Sequence, residues 1–397
     1  MSRRILVTLC LAFVSLASTR PAAAQSLFGT RGLGTPLAPV DARARALGGI
    51  GTGLLGIDPS LVNPADAAGA LRRAVSAVLQ PVDERVELDG ASDRIASTTF
   101  PLIRVILPFA ERWVATAGYG AFLDQSWGIV ADRTEMIGGD EIDVRDVIRS
   151  TGGIAQLQAG VAYSLLPSLS LGLAGGLYTG EVQRRLTRSF PAEEATLPDF
   201  DSLRRWQYRG PLATLGARWD PLPELRAGAA VTWSGELNAE GRTALERDFT
   251  VDLPLQVSAG VSAYMGSDVL ATVGGKWAGW SSAESTTLGW EPVGAVLAVG
   301  DAWEIGGGLE YAERGGTRDF PIRLGARYAQ LPFLMNDAAP TEWSAGLGFG
   351  ASLAQTDLGP GALFDVAIER GGRGDASSTL LAESYWRLTV SLMLFGR

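Results

Sequence analysis

Side chains that commonly carry catalysis are scarce in this chain. It has no histidine and one cysteine, Cys10. Without histidine, Ser-His-Asp and Cys-His arrangements cannot form, and zinc sites built on imidazole are excluded. The only lysine, Lys276, follows two glycines but lacks the earlier glycine and the following Ser or Thr of a phosphate loop. The residue types therefore predict a protein that is not an enzyme.

Two further patterns resemble chemical motifs only in outline. Residues 51–56 read Gly-Thr-Gly-Leu-Leu-Gly, but no hydrophobic strand precedes them and no βαβ unit follows, so the dinucleotide-binding context is missing. Asp140, Glu141 and Asp143 could offer oxygen ligands to a metal, although their spacing is not that of a known calcium loop. We therefore predict no cofactor and no metal site. An enzyme would need a carboxylate-only or tyrosine-based mechanism.

The N-terminus, residues 1–24, is predicted to be a signal peptide. Arg3 and Arg4 form its positive region, 5–17 is an apolar run, and three alanines at 22–24 offer a cleavage site before Gln25. The apolar run is too short to cross a membrane as a helix, and cleavage removes the cysteine. The formal charge of −9 argues against a nucleic-acid partner, which would need a basic surface.

Segments of alternating polarity recur after residue 72. In the last of them, an apolar face and a largely polar face alternate along the chain. The apolar face would point inward in a soluble barrel and toward lipid in a membrane barrel. The apolar residues are Trp386, Leu388, Val390, Leu392 and Leu394, and the polar ones are Arg387, Thr389 and Ser391. The predicted strands are 73–83, 95–107, 112–123, 153–165, 169–183, 206–219, 224–236, 253–265, 268–283, 299–312, 319–331, 342–355, 361–370 and 384–395.

Fourteen strands is an even number, as bacterial outer-membrane barrels require, and most reach the length that a tilted strand needs to cross a bilayer. The connections alternate between short turns and long polar loops, which is the asymmetry of such barrels. The long loops are predicted near 84–94, 124–152, 184–205, 237–252, 284–298, 332–341 and 371–383. Tryptophans near strand ends suggest interfacial girdles, although some could be core anchors. They are Trp113, Trp219, Trp233, Trp280, Trp303, Trp343 and Trp386.

The segment 41–66 resembles the N-terminal segment of the long-chain fatty-acid outer-membrane transporter family. That family carries an arginine and a Gly-Gly pair, then an acidic residue, then Asn-Pro-Ala. Two later stretches, 321–328 and 364–387, are similar to the same family and support the assignment by their order. The matching residues in the first stretch are Arg45, Gly48, Gly49, Asp58, Asn63, Pro64 and Ala65.

The resemblance implies an all-β transmembrane antiparallel barrel of about fourteen strands, 73–397, with an N-terminal hatch, 25–72, inside its lumen. Hydrophobic ligands would be captured outside and leave sideways at a kinked early strand. Gly118 and Gly120 are candidates for that kink because glycine tolerates bends, although plain strand twist explains them equally well. The Asn-Pro-Ala element would act either as a structural pin of the hatch or as a ligand contact.

The predicted function is passive, cofactor-free passage of small hydrophobic compounds, such as long-chain fatty acids, across the outer membrane. Its partners would be membrane lipid, the hydrophobic ligand and the barrel-assembly machinery. That machinery is thought to read a terminal strand with a near-terminal aromatic, here Phe395, which two further residues follow. The alternative is an interaction or shuttle protein in protein secretion or surface attachment. A lumen too blocked for solutes and loops able to dock a partner would favour that alternative.

Overall fold

The computed structural model describes residues 26–30, 33–88, 91–190, 198–243, 246–285, 300–312, 320–335, 338–357 and 359–396, and the predicted signal peptide lies outside them. These residues form one antiparallel sheet. Its strands are β1 Thr35–Pro36, β2 Ala74–Leu88, β3 Ala91–Ala110, β4 Trp113–Asp124, β5 Trp127–Ile137, β6 Asp140–Leu166, β7 Leu169–Ser189, β8 Phe200–Leu222, β9 Leu225–Ser234, β10 Glu236–Gly241, β11 Phe249–Asp252, β12 Gln256–Met265, β13 Val269–Ala278, β14 Ala302–Tyr311, β15 Ile322–Gln330, β16 Thr341–Thr356, β17 Gly359–Gly374 and β18 Leu381–Phe395.

Fourteen of these strands close into a ring, as the alternating segments predicted. β9 pairs with β12 across the β10–β11 insertion, and β18 pairs with β2 to seal the barrel. The other four strands, β1, β5, β10 and β11, extend or line the ring without joining it. Closure leaves the ring without an exposed edge, which solves the edge problem of an antiparallel sheet.

The barrel is apolar outside and polar inside. Leu309, Leu324 and Leu347 lie side by side on adjacent strands and are 46%, 56% and 57% exposed. The residues next to them in sequence point inward, so Glu310 and Arg323 are directly paired and buried. An outward apolar band over a polar interior is the polarity of a transmembrane barrel, because lipid rather than water solvates the outer face.

The two ends of the barrel differ, as predicted. Among the described connections, tight turns such as 111–112 and 167–168 lie at one end, called here the short-turn end. The predictions of long loops at 84–94, 124–152, 184–205 and 237–252 are wrong over most of their length. There the barrel strands continue as paired ribbons, with β5 and β10–β11 added to them. The prediction sized strands to the bilayer, whereas a hydrogen-bonded ladder continues wherever cross-strand side chains support it.

The segment from Ser26 to Arg73, called here the N-terminal segment, runs from one end of the barrel to the other. Near its start Phe28 stacks on Phe333 at the long-loop end, with ring centroids 5.7 Å apart. Near its finish Ala68 packs against Ile106, at the opposite end. Its helices are short, Leu27–Thr30, Ala42–Ala46 and Pro64–Ala67. No helix in the described residues is long and apolar enough to cross a membrane.

Candidate functional site

The helix Ala42–Ala46 is the best-defined element of the N-terminal segment. Asp41 caps it by accepting a hydrogen bond from the backbone N–H of Ala44 at 2.8 Å, which satisfies a donor that a helix start leaves free. Its apolar side is made of small residues, and Ala42 and Ala46 pack on Ala367 of β17. The helix therefore lies close against the inner wall and aims its arginines at wall carboxylates.

Arg43 joins the first of two ion networks between this helix and the wall. Its guanidinium donates two hydrogen bonds to Glu310, at 2.7 and 2.8 Å. Glu310 also accepts from Arg323 at 2.6 Å, and Arg323 donates to Asp365 at 2.6 Å. Sequence reasoning missed this network. The sequence did offer one indication of this network, which was a charged residue at an inward position of an otherwise apolar strand.

Arg45, a predicted site residue, belongs to the second network. It is buried, and its Nε lies 3.7 Å from Glu369. Glu369 also faces Arg387 at 3.5 Å, and Arg387 lies 3.9 Å from Glu342. Arg373 then donates to Glu342 at 2.8 Å. Buried ion pairs of this kind hold the helix in position against the wall, because removing one partner leaves an uncompensated buried charge.

Gly48 and Gly49, also predicted, follow the helix directly. Gly48 has a φ of +96°, and a Cβ there would overlap the backbone nitrogen of Gly307 and lie 2.8 Å from the carbonyl oxygen of Ala326. The turn therefore needs glycine for both its conformation and its contact with the wall. At Gly49, with a φ of +79°, a Cβ would meet the side chain of Arg327 at 3.3 Å.

The remaining predicted residues of the segment stabilise its second half. Asp58 accepts hydrogen bonds from the backbone N–H and the hydroxyl of Ser60, both at 2.8 Å. Asn63 accepts from the N–H of Ala65 at 3.0 Å, which caps the helix that Pro64 begins. Its amide also donates to the carbonyl of Ala217 on β8 at 3.1 Å. These contacts favour the structural-pin interpretation of Asn-Pro-Ala.

Arginines of the wall bind carbonyl groups of the segment. Arg218 donates to the carbonyl oxygen of Ala68 at 2.6 Å, and Arg226 donates to that of Leu54 at 2.9 Å. Arg104 donates to the carbonyl of Ser60. An irregular segment inside a protein must satisfy its backbone groups, and these side chains do so. They come from β3, β8 and β9, and sequence reasoning did not single them out.

Gly118 and Gly120 lie on β4 where the segment approaches it. A Cβ on Gly118 would lie 2.7 Å from Leu61, and one on Gly120 would lie 2.8 Å from Pro39. Both glycines keep their partners on β3 and β6, and the register shift of β4 falls between Ala121 and Leu123 instead. The two glycines thus make room for the N-terminal segment, and the register shift of β4 comes after them in the chain.

A cavity of about 80 Å³ remains between the N-terminal segment and the wall. Leu37, Phe122 and Trp280 give it an apolar side, while Lys276 and Arg387 belong to its charged side. A second cavity of about 30 Å³ shares Leu37, Phe122 and Lys276 with it. The lumen can therefore contact both an apolar group and a polar or anionic one.

Two carboxyl groups of the segment are titratable near neutrality. Burial, and then the neighbouring charge of Asp58, raises the pKa of Asp66 to about 7, and the pKa of Asp41 is raised to about 7 by the same causes. Both oxygens of Asp66 lack a hydrogen-bond partner among the described residues. Both groups lie on the N-terminal segment rather than on a spanning strand.

Sequence comparison assigns the chain to a protein family. The sequence model of one family, described as BamG, matches residues 1–247, which is more than half of the 397 residues. The chain belongs to the BamG family. No curated protein sequence matches it.

Solved structures share the fold of this BamG-family chain at low sequence identity. A Pseudomonas aeruginosa FadL homologue superposes with a TM-score of 0.62 at 13% identity, covering 91% of this chain and 99% of that one. The P. putida toluene transporter TodX gives 0.58 at 12%, covering 91% and 99%. The CymD monoaromatic hydrocarbon channel gives 0.57 at 16%, covering 92% and 98%. The predicted barrel fold is thereby confirmed, and it is the fold that the resemblance of residues 41–66 implied.

The predicted site residues of the BamG-family chain do not meet at one point. Arg45, Gly48 and Gly49 contact strands β14 to β18, whereas Asn63 and its neighbours contact β7 and β8. They are successive anchors along the N-terminal segment. Only Arg45 among the predicted residues lines the larger cavity. In the described residues, no cluster of three or more carboxylate, cysteine or histidine side chains is arranged to hold a metal.

Proposed function

We propose that this BamG-family barrel lies in the outer membrane and passes small hydrophobic compounds, with residues 25–72 acting as a movable hatch. The luminal cavity carries the proposal, because its apolar and charged sides are made jointly by the N-terminal segment and the wall. The relatives by fold include a toluene transporter and a monoaromatic hydrocarbon channel. Passage would be passive and would need no cofactor.

The size of the cavity requires the hatch to move. An engineered cavity of about 150 Å³ binds benzene, and the larger cavity here holds about 80 Å³. A fatty acid needs still more space. The wall near Gly118 is a candidate exit, because Gln158 contributes both to the smaller cavity and to an open groove on the outer surface.

A hatch lock tests the proposal. The hydroxyl groups of Thr52 and Ser258 are 3.0 Å apart, so T52C/S258C can join the N-terminal segment to β12 by a disulfide. Thr214 and Thr232 are also 3.0 Å apart but lie on neighbouring wall strands, so T214C/T232C is a matched control. We expect the oxidised lock to stop uptake of labelled toluene and oleate in liposomes, and reduction to restore it. Equal uptake by the oxidised lock and the control would refute a moving hatch.

The proposal also covers export. We expect the protein isolated from membranes to begin at Gln25 and to fractionate with the outer membrane, because residues 1–24 have the pattern of a cleavable signal peptide. Intact-mass measurement and membrane fractionation check both points. A retained N-terminus or an aqueous fraction would contradict them.

A second candidate function is an accessory role with the barrel-assembly machinery. The family description BamG and the nearly filled lumen favour it, and the paired ribbons at the long-loop end offer a surface for a partner. Affinity isolation of the tagged chain from detergent-solubilised outer membranes should then retain the central assembly barrel in near-equal amount. The oxidised hatch lock should retain it equally well. Absence of that barrel from the eluate removes this candidate.

A further inference from the structure

Four arginines lie on the outward face of β6, β7 and β8, beyond the apolar band on the side of the long-loop end. We name them the arginine belt. Leu177 is the last outward leucine of β7 and pairs with Pro211 of β8, and the next outward pair joins Thr179 to an arginine. From that row onward the outward positions of β7 are polar or charged. The belt consists of Arg149, Arg185, Arg205 and Arg209.

The belt rises well above the edge of the membrane. Arg209 lies two residues beyond Pro211, and Arg185 lies eight residues beyond Leu177. With a strand rise of about 3.3 Å per residue and a tilt of about 40°, the belt spans from about 5 to about 20 Å above the band. A phospholipid headgroup layer is only roughly 5–8 Å deep. A ligand that reaches the whole belt therefore needs a taller headgroup.

Most arginines of the belt have no ion-pair partner in the described part of the chain. Among the described residues, no ion pair joins Arg149, Arg205 or Arg209 to a carboxylate, and Arg185 has only Asp201 at 3.7 Å. The Nε of Arg205 is buried and has no hydrogen-bond partner there. Two exposed acids lie in the row between Arg205 and Arg209, and with Asp201 they leave the four arginines one positive charge in excess of these acids. Those acids are Glu181 and Glu240.

Two belt arginines face each other directly. Arg149 of β6 is the register partner of Arg185 of β7, and both side chains are exposed. Like charges at directly opposed positions destabilise a sheet. An anion held between the two guanidinium groups would remove this repulsion, and phosphate suits their planar, two-pronged donors.

An apolar groove lies below the belt on the same strands. Its floor is made of small residues such as Ala159 and Gly175, and its sides include Ile103, Val105 and Leu157. Leu157 of the groove is the register partner of Leu177, which lies two residues before Thr179, the partner of Arg209. At about 3.3 Å per residue and a tilt of about 40°, the groove thus begins roughly 5 Å below the lowest belt arginine. An acyl chain in the groove would place its headgroup at the belt.

We propose that the arginine belt binds the phosphate groups of a phosphorylated glycolipid of the outer leaflet, with one acyl chain in the groove below. The height of the belt selects a sugar headgroup with several phosphates over a phospholipid. Charge complementarity and continuity with the apolar band identify the occupant as lipid rather than protein. The inference rests on the outer-membrane location proposed above but is independent of what the lumen carries.

Binding to purified protein in detergent tests the belt. The probes are lipopolysaccharide with a phosphorylated inner core, the same glycolipid after chemical removal of its phosphates, phosphatidylglycerol and inorganic phosphate. We expect the phosphorylated glycolipid to bind at least tenfold more tightly than each of the other three. We expect R205Q/R209Q to lose most of this preference, and R205K/R209K to lose less because it keeps the charges. Native mass spectrometry counts the bound lipid.

The matched control removes two arginines from the same ribbon farther from the membrane. R133Q/R145Q changes the charge equally, but Arg133 is already paired with Asp146 at 2.6 Å and Arg145 faces Asp132 at 3.7 Å. It should bind like the wild type. Equal binding by R205Q/R209Q and wild type, or equal binding of the dephosphorylated glycolipid, overturns the proposal. Absence of glycolipid binding in detergent would count against the arginine belt alone, because fractionation tests the outer-membrane location separately.

Discussion

Single residues of the N-terminal segment decide whether it can lie inside the barrel. Asp41, Asp58 and Asn63 each satisfy backbone or hydroxyl groups of the segment itself. These short polar side chains were predictable from sequence, because their types and positions match caps and turns. The arginines that hold the segment were not, because their partners are carbonyl groups 44 to 172 residues away and no local pattern encodes them.

Gly48 should not tolerate a side chain. Gly48→Ala combines a left-handed backbone conformation with overlap against Gly307, so we expect the segment to detach from β14 and β15 there. Gly138→Ala is the control, because its φ is +67° but nothing lies within 4 Å of the added Cβ. Limited proteolysis should cut the segment faster in Gly48→Ala only. Equal cleavage of the two variants would show that the contact is unimportant.

Asp66 should make stability depend on pH. Its folded-state pKa of about 7 lies above the ordinary 3.8, so the folded protein loses stability as the pH rises from about 4 to about 7. Asp66→Asn keeps the neutral shape at every pH. We expect it to raise the midpoint of urea unfolding at pH 8 and to leave it nearly unchanged at pH 4. A variant that is less stable at pH 8 would contradict a buried, unpaired carboxylate.

At the scale of elements, the strands were predictable and their lengths were not. Alternation of polar and apolar residues marked all fourteen barrel strands, because the inner and outer faces impose opposite demands on successive residues. The paired ribbons beyond the membrane have no lipid-facing side, so their sequence does not need to alternate between polar and apolar residues. There β6 and β7 are held by pairs such as Arg188 with Asp146, 2.7 Å apart, which polar loop composition does not distinguish from solvated charge.

The N-terminal segment should be loosened by removing its wall contacts. Arg218→Gln with Arg226→Gln deletes charge-assisted hydrogen bonds to Ala68 and Leu54, each worth about 1.5–3 kcal/mol. We expect faster hydrogen exchange across residues 52–70 and unchanged exchange in β14 to β18. Arg94→Gln is the control, because its pair with Asp83 is exposed and such pairs contribute little to stability. Unchanged exchange in the double variant would contradict this role.

For the whole molecule, the closed ring was predictable and the path of the N-terminal segment was not. An even number of alternating segments with unequal connections indicates a barrel whatever fills it. The N-terminal segment shows no regular alternation of polar and apolar residues, so its route depends on the space that the barrel wall leaves inside. Family resemblance placed it inside, and only the structure shows which strands each of its anchors contacts.

Deleting residues 26–68 should leave a closed ring of strands with an open lumen. The ring pairs through β18 and β2 without any contribution from the segment, so we expect the variant to fold. Planar-bilayer recordings should show large steady conductance for the variant and little for the wild type. A silent deletion variant would mean that the wall collapses into the lumen.

The wall glycines that meet the N-terminal segment link distant positions of the sequence. Gly306 and Gly325 lie against Gly48, and Gly228 and Gly260 lie against the turn at Gly53. At each of these places two backbones touch with no side chain between them, so neither partner can enlarge alone. In an alignment of the family, such positions should covary: a bulkier wall residue should accompany a shortened or rerouted N-terminal segment. Divergence of cargo or partner would then require paired substitutions, which slows change in the lumen relative to the outer ribbons.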